Sequence, residues 1–341
     1  VNPTVAELVA ASQHRSGGPE PELERYGVAA PDGVAALVDG FVREHLGAGV
    51  AGGLFFTVSI GAVVGVELDD GRRVVLKVQP GRTSLAHLAA ATDVQRTAAH
   101  HGFPAPMVLA GPAALGRGHA TVEEFVAPGP PSDAARPEIR AALAAGLAEL
   151  IACCSPFARR SELADGQFPR GAGALFPPPH SSLFDFEATA AGAEWIDAHA
   201  QRARALLDEM AEPAVVGHDD WRAEHVRFDG TRIVAVYDWA SIKAMPETSL
   251  VGNASRAFSL DFTTPDPRVP DRDDALAFVA DYEVARGASF SAVERRRVDA
   301  AWLYSTAYSA RCEHSLHATA VDPVPHAFRD VLAAAGPSVL T

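Results

Sequence analysis

The sequence predicts an α+β protein of two lobes, a small β-rich front joined to a larger helix-rich back. Three observations carry this. Runs of β-branched and aromatic residues, bounded by turn signals, recur between residues 54 and 126. Long Ala/Leu segments with helical spacing dominate from residue 134 onward. Between them stands Pro128-Gly129-Pro130-Pro131, which reads as a hinge and sets the expected lobes at residues 1–127 and 128–341.

In order along the chain, residues 1–33 are punctuated by Gly and Pro, with helical pieces at Val5–Gln13 and Pro21–Tyr26. Apolar spacing predicts a helix over Gly33–Leu46. Leu54–Val58 and Ala62–Leu68 read as strands, and Asp69-Asp70-Gly71 turns the chain into a third, Arg73–Val78. Ser84–His101 is helical in composition and stops at Gly102; Phe103-Pro104-Ala105-Pro106 breaks it before strands at Met107–Leu109 and His119–Val126. Past the hinge, helices are expected over Ala134–Cys154, Glu187–Met210, Asp273–Arg286 and Ala292–Ser315. Two short apolar runs, Val215–Gly217 and Ile233–Tyr237, interrupt them, and a turn at Asp229-Gly230 makes the intervening chain read as a hairpin.

Composition narrows the function. The net charge is −14, with no basic tail, so neither nucleic acid nor an anionic membrane surface is an expected partner. The acidic field attracts a cationic substrate, or serves solubility alone. Cys153, Cys154 and Cys312 form no C-x-x-C pair, and no run reaches transmembrane length. A cytoplasmic setting is expected, as a monomer or homodimer. Only two lysines are present, Lys77 and Lys243.

The two apolar runs of the back lobe each end in a carboxylate, Asp220 and Asp238. A carboxylate at the end of a buried strand is costly unless a metal, a cation or a substrate proton meets it. Asp220 is the candidate base for a substrate hydroxyl, and Asp238 the candidate Mg²⁺ ligand, since hard cations take carboxylate oxygen. His218 either holds the loop by hydrogen bonds or joins the chemistry. His225 is a second metal ligand or a packing residue; imidazole suits Zn²⁺ or Mn²⁺ better than Mg²⁺. Arg222 and Lys243 flank the site and either neutralise transferred phosphate charge or face solvent.

In the front lobe, Lys77 sits among apolar residues and should meet an anion, for which a nucleotide phosphate is the candidate; an aggregation-deterring edge lysine is the alternative. Ser59 and Gly61, between two strands, offer backbone N–H groups to phosphates; Gly52-Gly53 is the other candidate flexible turn. Glu124, Phe125 and Val126, just before the hinge, would present backbone groups to a base.

These segments together resemble the aminoglycoside phosphotransferase/choline kinase-like superfamily of small-molecule kinases. The family pattern H-G-D-x-x-x-x-N stands here as His218-Asp219-Asp220-Trp221-Arg222-Ala223-Glu224-His225, and [IV]-D-[WF] as Tyr237-Asp238-Trp239. The lysine strand Val74–Val78 and Gly102–Pro106 match in order and spacing, and the similarity spans roughly Gly52 to Cys312. The resemblance implies a bilobal protein kinase-like fold, ATP or GTP with Mg²⁺ as cofactors, and a hydroxyl-bearing small-molecule acceptor such as an aminoglycoside. It implies that Asp220 is the base, Asp238 the metal ligand, Lys77 the phosphate lysine and residues 123–127 the hinge. Three positions depart from the pattern: Asp219 replaces Gly, His225 replaces Asn, and no Glu occurs between Ser84 and His101 to pair with the lysine, where Asp93 and Gln95 are the nearest substitutes. The alternative readings are a nucleotide-binding module without transfer activity and a kinase for a sugar, amino sugar or choline-like metabolite. Expected acceptor walls are the Trp239–Glu247 loop, the Phe184–Glu187 region and Tyr304, Tyr308 and Glu313.

Overall fold

The computed structural model describes residues 2–340 except 17, 128, 130–131, 165–172, 182, 210–211, 265–266 and 320–326. Three of the four residues of the expected hinge, Pro128, Pro130 and Pro131, and the expected helix end Met210 lie outside the described residues. The chain divides into two compact units, Val1–Pro128 and Gly129–Thr341.

The first unit is built on a five-stranded antiparallel sheet of order β1-β2-β3-β5-β4: β1 Val50–Val58, β2 Ala62–Leu68, β3 Arg73–Gln79, β4 Val108–Leu115 and β5 Gly118–Glu124. Strand alternation sorts its faces. Val74, Leu76 and Val78 of β3 and Ala120 and Val122 of β5 point into a core closed by Val5, Val9, Val34, Val38 and Phe41. Those covering residues belong to α1 Val5–Ser16 and α3 Pro31–Leu46; α2 Glu20–Tyr26 lies between them in sequence. Lys77, one residue out of phase with Leu76 and Val78, therefore lies on the face away from that core. α4 Leu85–His100 starts at Ser84, whose hydroxyl accepts the His87 N–H.

Gly52-Gly53 is not a turn. Both residues lie within β1, which starts at Val50, ahead of the expected Leu54. The Gly53 N–H donates to the Pro3 carbonyl at 2.7 Å, and a Cβ there would lie 2.5 Å from Leu8 Cδ1. Glycine is used for this close approach of the N-terminal segment, not for flexibility.

The second unit holds α5 Pro137–Cys153, α6 Glu194–Asp208, α7 Glu247–Ser255, α8 Arg272–Arg286, α9 Ala292–Thr319 and α10 Ala327–Ala335. α9 is its axis: Trp302, Leu303, Tyr304, Ala307 and Ala310 are buried against Ile196, Ala200 and Ala203 of α6 and Leu332 of α10. α8 opens with a capping box, Asp271 accepting the Asp274 N–H while the Asp274 carboxylate accepts the Asp271 N–H. α6 begins at Glu194, later than the expected Glu187. Asp185 Oδ1 accepts the Glu187 and Ala188 N–H groups, and Gly192 has φ 80°, a backbone that starts no helix.

The expected hairpin is also redrawn. β6 Ala214–His218 does not pair with the Ile233–Tyr237 run; it pairs with β9 Ile242–Pro246, inside the stretch expected to be a loop. The Asp229-Gly230 turn instead joins β7 Val226–Asp229 to β8 Arg232–Val236. β7 is only four residues long, and its Val226-Arg227-Phe228 alternation is too brief to mark a strand by pattern alone. No helix among the described residues is long and apolar enough to cross a membrane.

Candidate active site

β6 delivers His218, Asp219 and Asp220 into a loop that a 3-10 turn at Ala223–His225 returns to β7. The loop is held on all sides. Trp221 is buried and donates its indole N–H to the Leu143 carbonyl of α5 at 3.0 Å. The Ala223 N–H donates to the Phe258 carbonyl, and the Asp219 N–H to the Ser241 carbonyl, each at 2.8 Å. Asn253 of α7 donates to Asp219 Oδ1 at 2.8 Å. Trp221→Ala is expected to cost about 3–5 kcal/mol through the cavity it leaves, measured by denaturant unfolding.

His218 connects the two carboxylate-bearing segments. Its Nε2–H donates to the Tyr237 carbonyl at 2.9 Å, and its Nδ1 accepts the Asp220 N–H at 3.2 Å. Both ring nitrogens are thus committed to backbone in the neutral form. Burial pushes its pKa down to about 4, helped by the positive charge of His225 and opposed by Asp238 and Asp220. The unfolded chain takes up this proton near an ordinary histidine pKa, so protons favour the unfolded state. Stability should fall as pH drops from roughly 6.5 toward about 4. Thermal midpoints across that range should slope downward, and His218→Gln should flatten the slope.

Asp220 is half-buried, with Arg222 Nη1 2.7 Å from its Oδ1. Burial raises its pKa, but the electrostatic influence of His225, Arg222, His218 and Arg256 together outweighs burial and holds it below the ordinary carboxylate value. Asp220 therefore stays ionised further into acid than a free aspartate. Arg222 also reaches Glu224 Oε2 at 3.2 Å and lies over the Phe262 ring. Lys243 lies in β9 opposite Gly217, on the strand beside the one that delivers His218; the side chain in contact with the Asp220 carboxylate is Arg222.

Asp238 adopts φ 60°, ψ 46°, the left-handed region, and is the single non-glycine residue with positive φ among the described residues. An L-residue held there stores strain, a pattern that concentrates at functional sites. Its Oδ2 accepts the Ser241 hydroxyl at 2.5 Å, which fixes the carboxylate. His225 stands between the two aspartates. Its Nδ1 donates to the Asp220 carbonyl at 2.8 Å and lies 3.8 Å from Asp220 Oδ2. Ligand atoms of His218, His225 and Asp238 all lie within 4.8 Å of one another.

Both His218 nitrogens are held by backbone, so the donors that fit a divalent cation are the Asp238 carboxylate and His225 Nε2, whose long 3.4 Å contact with Arg222 Nη2 a cation would replace. The Nδ1–H bond of His225 to a backbone carbonyl is the support that orients a metal-binding imidazole.

In the first unit, Lys77 Nζ lies 2.8 Å from Glu123 Oε2. Neither substitute expected from α4 meets it. Asp93 is 4.0 Å from Arg96, and Gln95 donates to the Pro106 carbonyl at 2.9 Å. The β1–β2 connection is pinned from α2, where Arg25 Nε donates to the Ile60 carbonyl at 3.0 Å. The Ser59 N–H donates to the Gly61 carbonyl at 2.9 Å, so it is spent inside the loop. The Glu124 N–H is bonded to the Met107 carbonyl and the Phe125 N–H to the Arg73 carbonyl. β5 ends at Glu124, so Val126 lies past the strand.

Of the expected acceptor walls, Tyr304 is buried with its hydroxyl donating to the Leu175 carbonyl. Glu313, raised to about 7 by burial, accepts the Phe328 and Arg329 N–H groups at the start of α10. Both are structural. Tyr308 shares a hydrogen bond with His180 Nδ1 at 2.9 Å.

Sequence reasoning missed Glu123 as a partner of Lys77, and missed Arg25, Asn253 and Ser241 altogether. Only Glu123 carried a signal: the alternation of β3 and β5 puts it on the face of Lys77 once those strands are paired.

Residues 60–254, over half of the chain, match the phosphotransferase enzyme family. A search of curated proteins returns no match. Among solved structures, an amicoumacin kinase in complex with AMP-PNP, Ca²⁺ and Ami is similar at 12% identity and TM-score 0.60, covering 84% of this chain and 87% of that one. An aminoglycoside phosphotransferase from Alicyclobacillus acidocaldarius is similar at 16% identity and TM-score 0.54, with 85% and 89% covered. A spectinomycin phosphotransferase with ADP and spectinomycin stands at 11% identity and TM-score 0.54, with 83% and 87% covered. At these identities the likeness is one of fold.

Proposed function

The chain belongs to the phosphotransferase enzyme family and is a small-molecule phosphotransferase, and from that premise we propose that it transfers the γ-phosphoryl group of ATP or GTP to a hydroxyl of a natural product, an aminoglycoside or related antibiotic first among them. The observation that carries the proposal is the catalytic-loop cluster, in which His225 is within reach of both Asp220 and Asp238. That solved structures of similar fold contain AMP-PNP with Ca²⁺, or ADP, supports a nucleotide and a divalent cation.

Asp220 accepts a hydrogen bond from the acceptor hydroxyl, orients its oxygen toward the γ-phosphorus and takes the proton as the new P–O bond forms and the bond to the β,γ-bridging oxygen breaks, releasing the nucleoside diphosphate. The lowered pKa of Asp220 makes it a weak base, so it orients the hydroxyl more than it deprotonates it early. Arg222, now paired with Asp220, neutralises charge on the transferred group. His218 holds the backbone of Asp220 against that of Tyr237. Lys77 contacts nucleotide phosphate, and the Glu124–Val126 segment, whose Glu124 and Phe125 N–H groups are bonded to Met107 and Arg73, offers carbonyl oxygens to the base. Asp238 and His225 would hold Mg²⁺, which when bound offsets the negative charge of the phosphate oxygens.

Two further results are expected here. Arg222→Gln removes a charge that lowers the Asp220 pKa, so the acid limb of the kcat/KM profile should move to higher pH. His225→Asn exchanges imidazole for a carbonyl oxygen, so activity with Mg²⁺ should rise relative to activity with Mn²⁺. An unchanged metal preference would remove His225 from the ligand set. The proposal itself is tested by incubating the protein with ATP or GTP and a panel of aminoglycosides, nucleoside antibiotics, amino sugars and choline-like compounds, read as a mass gain of one phosphoryl group.

A further inference from the structure

Lys77 is partnered from the sheet and not from a helix. Register explains how. In the β3–β5 ladder Lys77 lies opposite Thr121 and Val75 opposite Glu123, so Lys77 and Glu123 are diagonal neighbours on one face. Val122, between Thr121 and Glu123, points to the opposite, core-facing side with Leu76. Nζ and Oε2 meet at 2.8 Å, and the side chains are 15% and 3% exposed. A carboxylate so withdrawn from water is stable only when paired, so this is no incidental surface contact. Nζ and Oε2 lie at the distance of a charge-assisted hydrogen bond, and an ammonium carries three N–H groups, so one contact with Glu123 leaves others for an anion. α4 offers no alternative: its one acid, Asp93, sits beside Arg96, and Gln95 is committed to the Pro106 carbonyl.

We propose that Glu123 is the positioning residue that holds Lys77 for the nucleotide phosphates, the role for which α4 supplies no acid in this chain. The inference rests on the reading of Lys77 as the phosphate lysine. It has a mechanical consequence. β3 and β5 are hydrogen-bonded neighbours, so the sheet itself fixes the pair and the lysine is set without any movement of α4. Glu123 also directly precedes the segment assigned to the base, so one short stretch of β5 serves both ends of the nucleotide.

The test uses the full chain, with MgATP turnover measured with water as acceptor and MgADP affinity measured by calorimetry. Glu123→Gln, nearly isosteric, should lower kcat by roughly 10²-fold through misplacement of Lys77, with MgADP affinity and the KM for ATP changed far less. Glu123→Asp should recover part of the loss. In the Lys77→Ala background, Glu123→Gln should cause no further loss, because a residue acting only through Lys77 has nothing left to position. Thermal unfolding of each variant separates a folding defect from a positioning defect, and Glu123→Asp carries the test if Glu123→Gln does not fold. Wild-type kcat in Glu123→Gln, or additive losses in the double variant, would overturn the inference. Slow Lys77→Ala beside fast Glu123→Gln removes this inference alone; Lys77→Ala at the wild-type rate removes the phosphate-lysine reading and the inference with it.

Discussion

Asp220→Asn is expected to lower kcat for phosphoryl transfer by roughly 10²- to 10⁴-fold, the range for removing a positioned proton acceptor, with the fold retained. The fold should survive because the loop is held by groups the substitution leaves alone: the Trp221 indole on Leu143, the Ala223 N–H on Phe258 and the Asp220 N–H on His218. Arg222 keeps its contact with Glu224, so it is not left as an uncompensated charge. Nucleotide binding should persist, since the loss falls on the chemical step and not on the ground state. Steady-state transfer and thermal unfolding on one preparation check both halves. A variant that transfers at the wild-type rate would remove Asp220 as the base.

Asp238→Asn should abolish the metal dependence of nucleotide binding, weakening MgADP by more than the roughly 10- to 100-fold typical of losing an outer partner of a metal site. Asn is the informative replacement, because it tolerates the left-handed backbone that Asp238 adopts and so separates lost charge from new strain. Alanine at the same φ would add a conformational cost unrelated to the metal. Titration of ADP with and without Mg²⁺ reads the effect; equal metal dependence in variant and wild type would end the ligand role.

Much of this was legible in the sequence because the chemistry is concentrated in short segments. Asp220 and Asp238 each end an apolar run, and the pairing of a lysine strand with them pointed to a two-lobe phosphotransferase before any geometry was known. Strand β3 was legible because its β-branched residues flank the sole lysine of the front half. What stayed hidden depended on pairing at long range. Glu123 meets Lys77 only once β5 is known to lie beside β3. The partner of β6 is hidden because β9 is a five-residue segment of mixed polarity with Lys243 as its second residue. The left-handed backbone of Asp238 has no marker in the sequence, since glycine is the residue that advertises positive φ and glycine is absent there. Tyr304 and Glu313 drew attention as polar groups on a late helix, but helical period alone does not separate a wall of a site from a partner in the core. The role of Arg25 is unreadable because its acceptors in the β1–β2 connection are backbone carbonyls, which every residue carries.

We propose that this chain moves a phosphoryl group to a small-molecule hydroxyl with Asp220 as the proton acceptor. The most direct measurement is the acceptor panel run in parallel on the wild-type chain and Asp220→Asn, with MgATP and MgGTP, scored by mass spectrometry. At least one acceptor should gain the mass of one phosphoryl group with the wild type, and that signal should be lost in the variant. Equal phosphorylation by both proteins, or tight nucleotide binding by the wild type with no acceptor ever modified, would contradict it.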